Sequence, residues 1–188
     1  PIAAPSANKS GRPSPTDAQS VHEDLGDAVS VILDGGPTEV GVESTVIDIT
    51  GDEVFLLRPG GLPVERIEEV VSGKVLLPKD QNIKRRSPGT RYRHYAPLIP
   101  LLLWEKGAST EKFACHEASD LGYIGISEPP LPVGEKILFT DVNSYAHGLF
   151  TSMRLLEKTG ITMIIAEYPP KNGVGLALRD RLRRASDK

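Results

Sequence analysis

The chain has 188 residues, 39% hydrophobic and 25% charged, which suffices for one large or two small packed domains of ordinary globular composition. A formal net charge of -3 and a pI near 5.9 exclude a protein that grips nucleic acid over its whole surface, so any anion binding must be local. The single cysteine, Cys115, excludes an intramolecular disulfide and an all-thiolate zinc site. With an opening Pro1-Ile2-Ala3-Ala4-Pro5 that lacks a basic, apolar leader, it points to a cytoplasmic protein.

In chain order, a helix is expected from about Thr16 to Leu25. Ser14-Pro15-Thr16-Asp17 supplies capping hydroxyls, a proline near the first turn and an early acid, and Ala18, Val21 and Leu25 share a face. Strands follow at about Val29–Leu33, Ser44–Ile49 and Val54–Leu57, separated by Asp34-Gly35-Gly36-Pro37 and Gly51-Asp52. The spacing of Val64, Ile67, Val70 and Val71 predicts a short helix. From Leu77 to Pro97 the apolar period lapses, which marks a linker. Its end, Tyr92-Arg93-His94-Tyr95-Ala96-Pro97, is too aromatic and basic for a passive spacer and suggests a segment that folds onto something.

Beyond Pro97, strands near Ile99–Trp104, Gly122–Ile126, Lys136–Phe139 and Met163–Ala166 alternate with helices near Thr110–Ala118, Ser144–Thr159 and Gly175–Arg184. That alternation predicts a mostly parallel α/β layer domain. No apolar run approaches the roughly 20 residues that cross a bilayer, and the one from Leu98 to Trp104 is broken by Pro100, so no membrane contact is expected. His22, His116 and His147 fall on predicted helices without metal-ligand company, and surface or packing roles are expected for them.

Three polar loops could carry chemistry. The run Pro5-Ser6-Ala7-Asn8-Lys9-Ser10-Gly11-Arg12-Pro13-Ser14-Pro15-Thr16 places small residues and hydroxyls just before a helix, where backbone N–H groups and serine oxygens can surround a phosphate. A plain polar loop ending in an N-cap would carry the same residues. Gly41-Val42-Glu43-Ser44-Thr45-Val46 delivers hydroxyls at a strand start. Leu57-Arg58-Pro59-Gly60-Gly61 ends a strand on an arginine, the side chain suited to bidentate phosphate or carboxylate contacts. Taken alone, each is more often a solvated turn than a site. Gly173-Val174-Gly175 lacks the third glycine and the downstream βαβ unit of a dinucleotide fingerprint, and no Gly-x-x-x-x-Gly-Lys phosphate loop occurs.

Taken together and in order, these segments resemble the catalytic domain of the threonylcarbamoyl-AMP synthases, the YrdC fold, whose hallmark is Pro-Ser-Ala-Asn-x-Ser-Gly followed by Ser-Pro-Thr. Ser87-Pro88-Gly89-Thr90-Arg91-Tyr92-Arg93-His94-Tyr95-Ala96-Pro97 is similar to the interdomain signature of the family's long form, with Thr90 where the family usually has methionine. Gly173-Val174-Gly175-Leu176-Ala177-Leu178-Arg179-Asp180-Arg181-Leu182-Arg183-Arg184-Ala185 is similar to the end of the long form's second domain. The resemblance implies an α/β architecture in three stretches: residues 1–76 as the C-terminal part of a YrdC-like catalytic domain, 77–97 as a linker or lid, and 98–188 as a small Rossmann-like α/β domain. The family's catalytic domain starts well before its Pro-Ser-Ala-Asn motif, so an N-terminally truncated chain is expected.

The activity the resemblance implies joins L-threonine, bicarbonate and ATP into threonylcarbamoyl-AMP, releasing pyrophosphate; a tRNA-modifying transferase complex then receives the product. Carried over motif by motif, Ser6 and Asn8 face the reaction centre, with Ser6, Ser14, Arg58 and Tyr95 on ATP. Ala4 and Ser44 lie by the threonine-derived part, and Arg91 and His94 support a lid. Mg²⁺ is expected on the ATP phosphates, with no metal-ligating residues named and no permanent cofactor. A basic, aromatic lid would exclude water from an easily hydrolysed carbamate, whereas a hinge that touches no ligand would carry the same composition. Lys84, Arg85 and Arg86 fit phosphate steering or a solvated charge run. Weak tRNA contact is a further expectation of the synthase reading; the alternatives are an inactive fragment of that enzyme, or a module of related fold that binds RNA or nucleotide.

Overall fold

The computed structural model describes residues 1, 3–71, 73–78 and 94–186. In the N-terminal part, α1 (Ala18–Leu25) starts where the Asp17 carboxylate accepts the Ser20 amide at 2.7 Å, so an acid rather than the preceding hydroxyls caps the helix. Its buried residues are Ser20 and Asp24, whereas the expected apolar face of Ala18, Val21 and Leu25 is only half-buried. Strands β1 (Val46–Asp48) and β2 (Phe55–Arg58) pair antiparallel, with Val46 opposite Arg58. The short helix α2 (Val64–Glu68) buries Ile67, and the chain returns so that Leu76 bridges Phe55.

Val29–Leu33 differs from expectation. The segment bends at Ser30 and forms no ladder with any described strand, and Val31 and Leu33 are 72% and 91% exposed. β-branched composition favours extension, but a strand needs a partner for its amide groups.

The C-terminal part is a four-stranded, all-parallel sheet. Its strands are β3 (Leu101–Trp104), β4 (Leu121–Gly125), β5 (Glu135–Leu138) and β6 (Met163–Glu167), in the spatial order β3-β6-β4-β5. Helix α3 (Val142–Leu156) returns the chain from the β5 edge to the interior strand β6, and α4 (Gly175–Ser186) follows β6. Asp141 and Ser144 form a reciprocal capping box at the start of α3.

Both faces of the sheet are covered over β3, β4 and β6, which explains why these strands read as nearly continuous apolar runs, while the edge strand β5 is mostly exposed. On one face, Leu149, Phe150 and Met153 of α3 and Leu178 and Leu182 of α4 pack with Ile124, Ile164 and Ala166. On the other, Phe113 packs with Trp104, Leu121, Tyr123 and Ile165. The helix expected at Thr110–Ala118 is instead a pair of 3₁₀ turns, Glu111–Phe113 and Ala118–Asp120. Phe113 is the only buried side chain of these turns, so no second turn of apolar residues stabilises a longer helix.

The parts meet along α3. His147 Nδ1 lies 2.9 Å from the Glu39 carbonyl, and the Thr151 and Thr16 hydroxyls are 2.7 Å apart. Arg154 donates to Asp24 at 2.7 and 3.1 Å. Lys158, just past the helix, reaches Glu23 at 2.7 Å, and Glu157 accepts both Arg12 Nη1 and Nη2 at 2.7 Å. Gly41 (φ +79°) packs against this helix so closely that a Cβ there would lie 2.3 Å from the His147 carbonyl oxygen.

Candidate functional site

The antiparallel pair positions the second and third polar loops. Gly60 fits directly against the Ser44–Thr45 backbone, where a Cβ would approach Ser44 C to 2.2 Å, and the Gly61 amide donates to the Glu43 carbonyl at 3.0 Å. That contact lets Arg58, buried at the end of β2, reach across. Its Nη2 donates to the Ser44 carbonyl at 3.0 Å and to Ser44 Oγ at 3.3 Å, and its Nε to the same carbonyl at 3.3 Å. The two motifs are therefore one unit, with exposed Ser44 resting on the guanidinium.

The first loop joins this unit through its far end. Ser14 is buried, and its hydroxyl donates to Glu43 Oε1 at 2.6 Å; the other carboxylate oxygen accepts Arg181 Nε at 2.7 Å. Burial alone would raise the Glu43 carboxyl, but the Arg181 charge and the Ser14 hydroxyl outweigh it and hold the group below the usual carboxylate range. Arg181 comes from α4 and is 0% exposed. Its Nη1 also donates to the Pro59 carbonyl and to Asp180, each at 2.9 Å.

Tyr95 lies over the same arginine, with the guanidinium carbon 5.2 Å from the ring centroid. The ring is 5% exposed and stacks on Phe150 at 5.4 Å, and burial pushes its hydroxyl above the ordinary tyrosine range. Its φ of 66° is the one positive value among described non-glycine residues, and it turns the chain so that the next amide, Ala96, donates to the Gly11 carbonyl at 2.9 Å. His94 sits beside it, ring centroids 5.7 Å apart, and burial lowers its imidazole from the ordinary value.

The structure thus gathers Ser14, Ser44, Arg58, Tyr95 and His94 around the Glu43–Arg181 pair. It does not bring Ala4 and Ser6 into that group; both are exposed at the start of the chain. Asn8 is half-buried, its amide nitrogen donating to the Lys9 and Arg12 carbonyls while Oδ1 is buried without a partner. Arg91 and Lys84 to Arg86, with the linker between residues 79 and 93, lie outside the described residues. Among the described residues no group of three or more His, Cys, Asp and Glu side chains could hold a metal ion, and no helix is long and apolar enough to cross a membrane.

Sequence reasoning missed the roles of Glu43, Arg181, Arg154 and Asp24. A signal for Arg181 existed: it falls on the apolar stripe of α4, among Val174, Ala177, Leu178, Leu182 and Ala185, where a charge is out of place unless paired.

The fold and the site define a two-part α/β protein in which a parallel-sheet domain seals one side of a cluster of serine- and arginine-bearing loops. Residues 62–187 match the family model described as threonylcarbamoyl-AMP synthase, C-terminal domain, and residues 1–60 match one described as telomere recombination. The chain belongs to the threonylcarbamoyl-AMP synthase family. It is 41% identical to the Pyrococcus abyssi threonylcarbamoyl-AMP synthase and 40% identical to that of Bacillus subtilis, over 99% of this chain and 58% and 57% of theirs. The crystal structure of P. abyssi Sua5 complexed with L-threonine superimposes with a TM-score of 0.83 at 39% identity, covering 97% of this chain and 56% of that one. A His/Tyr double-alanine variant of P. abyssi Sua5 gives 0.82 at 37% identity over the same shares. The chain therefore spans somewhat more than half the length of the relatives it matches.

Proposed function

We propose that this chain serves L-threonylcarbamoyladenylate synthesis, a nucleotidyl transfer in which a carbamate formed from L-threonine and bicarbonate attacks the α-phosphate of ATP and pyrophosphate leaves. The carrying observation is the match to curated threonylcarbamoyl-AMP synthases along 99% of this chain; the joined Ser44–Arg58 unit gives it a physical basis. Such a reaction needs no protein nucleophile. It needs donors fixed where charge develops, and a guanidinium buried at a strand end with a hydroxyl resting on it meets that requirement.

In this reading Arg58 and Ser14 hold ATP together with Ser6 and Tyr95, Asn8 joins Ser6 at the reaction centre, and Ala4 and Ser44 face the threonine moiety. Arg91 and His94 support the segment that closes over them. Mg²⁺ arrives on the triphosphate as part of the substrate, and no permanent cofactor is required. The product passes to a tRNA-modifying transferase complex in the cytoplasm, with at most weak tRNA contact. Residues 1–76 form part of the catalytic domain, 77–97 the linker and 98–188 the second domain; the Leu76–Phe55 bridge supports placing the first boundary after Leu76.

The 188 residues alone are proposed to turn over little or not at all, because the chain spans only 58% and 57% of the length of the relatives it matches, and Val31 and Leu33 are exposed with no ladder partner among the described residues. The test is pyrophosphate release from ATP, on this chain and on a version carrying additional N-terminal sequence. Release that needs both L-threonine and bicarbonate, and falls at least about 100-fold in Arg58→Ala, is the expected result. Release indifferent to threonine, or none from either protein alongside steeply salt-dependent tRNA binding, would overturn the reading in favour of a binding module.

A further inference from the structure

We propose that Arg181, on the last helix, is a positioning residue for the nucleotide site: through Glu43 it fixes the Ser14 hydroxyl, and its guanidinium face carries the Tyr95 ring. This inference rests on the proposed synthase reading for what Ser14 and Tyr95 touch, but its geometry stands apart from that reading.

Arg181 is completely buried on a helix face that is otherwise apolar, and Nη2 has no hydrogen-bond partner among the described residues. Fold stability alone would be served as well by methionine or leucine, since a buried ion pair tends to be matched or bettered by well-packed apolar side chains. What arginine adds is direction. Nε holds Glu43 Oε2 at 2.7 Å while Nη1 is anchored on the Pro59 carbonyl, one residue past Arg58, so the carboxylate cannot rotate away from Ser14. The Ser14 hydroxyl donates to Glu43 Oε1 at 2.6 Å, which leaves the oxygen lone pairs of a buried serine pointing away from the carboxylate. The same guanidinium underlies Tyr95, whose neighbour Ala96 is bonded to Gly11 in the serine-rich loop. One side chain of the C-terminal domain thereby sets the second loop, the end of the first and the end of the linker.

The test uses Arg181→Lys, Arg181→Met, Glu43→Gln and the charge-free pair Glu43→Gln with Arg181→Met, with two readouts. In titration calorimetry, Arg181→Met and Glu43→Gln should each weaken ATP about tenfold, the factor for one hydrogen bond made in the complex, and leave L-threonine within about twofold. Arg181→Lys should recover part of the loss, and in a Ser14→Ala background Arg181→Met should weaken ATP by less than it does in the unmodified chain, the remainder being the Tyr95 contribution. Independently, with no ligand present, hydrogen exchange at residues 12–17 and 95–97 should quicken at least about tenfold in Arg181→Met and Glu43→Gln, while β4 and β6 keep their protection. Unchanged exchange at those segments, or ATP and threonine weakened equally and additively with Ser14→Ala, would overturn the proposal. If neither the unmodified chain nor a version carrying additional N-terminal sequence binds either ligand, the synthase reading is what fails for these residues, and the exchange result alone decides whether Arg181 sets the loops.

Discussion

Replacing Asp24 by asparagine should destabilise the protein far more than a change on a small polar helix normally does. Asp24 and Arg154 side chains are 6% and 5% exposed, and the carboxylate receives Nη2 at 2.7 Å, Nη1 at 3.1 Å and the Lys9 amide at 3.3 Å. Without the carboxylate charge, Arg154 retains the Pro13 carbonyl as a hydrogen-bond partner while its Nε already lacks one. An uncompensated buried guanidinium costs about 3–5 kcal/mol. Arg154→Met should cost a similar amount by stranding Asp24, whereas the double substitution should cost less than either single one. Urea unfolding of all four proteins, followed by Trp104 fluorescence and by circular dichroism, closes the cycle. A change below about 1 kcal/mol in Asp24→Asn, or additive single effects, would refute the claim that this pair fastens α1 to α3.

Gly41→Ala should cost about 2–5 kcal/mol, combining left-handed backbone strain with displacement of the α3 backbone at His147, whereas Gly36→Ala, with φ +86° but nothing within 4 Å, should show strain alone at about 1–2 kcal/mol; chemical denaturation compares the two. The interface should also be acid-labile. Burial raises the Asp24 and Glu43 carboxyls, but their arginine partners outweigh it and both titrate below the ordinary 3.8 and 4.5. Depressed folded values mean the unfolded chain takes up these protons first, so the stabilisation is complete above the ordinary values and is lost as pH falls through the folded ones. Hydrogen exchange at residues 12–25 should therefore quicken on acidification before β4 and β6 lose protection, and simultaneous loss throughout would contradict it.

The interior of the C-terminal sheet was legible because both its faces are buried: β3, β4 and β6 read as short apolar runs, whereas the edge strand β5, Glu135 to Leu138, is mostly exposed; β4, β5 and β6 all fall within a residue of expectation at either end. The interface was not legible, for a physical reason visible on α3. His147, Thr151, Arg154 and Lys158 recur at helical spacing and look like a solvated stripe, yet each contacts the N-terminal part. Polar periodicity records only that a face avoids the apolar core; it cannot distinguish water from a polar partner. The loop motifs were legible as residue types, but Ser44–Arg58 needed the β1–β2 register and Ser14–Glu43–Arg181 needed a helix from the far end of the chain.

The disposition of charge in the C-terminal part bears on what that part is for. In parallel α/β sheets, ligands commonly settle outside the carboxyl ends of the strands, where loop amides receive an anion. Here that position on β6 holds the protein's own Glu167, whose carboxylate accepts the Ile126 amide at 2.6 Å, the Ser127 amide at 2.7 Å, the Ser127 hydroxyl at 2.9 Å and the Tyr123 hydroxyl at 3.1 Å. Burial would raise this carboxyl, yet these donors keep it below the ordinary range, so it is a stably ionised internal anion. The donors around it are already engaged, while Arg154 and Arg181, the two buried arginines of the helical face, both point their charge into the N-terminal loops. Arg154 is paired with Asp24, and Arg181 shares its charge between its own Asp180 and Glu43, so buried charge of the C-terminal part ties the geometry of the N-terminal part to the helices that cover the sheet.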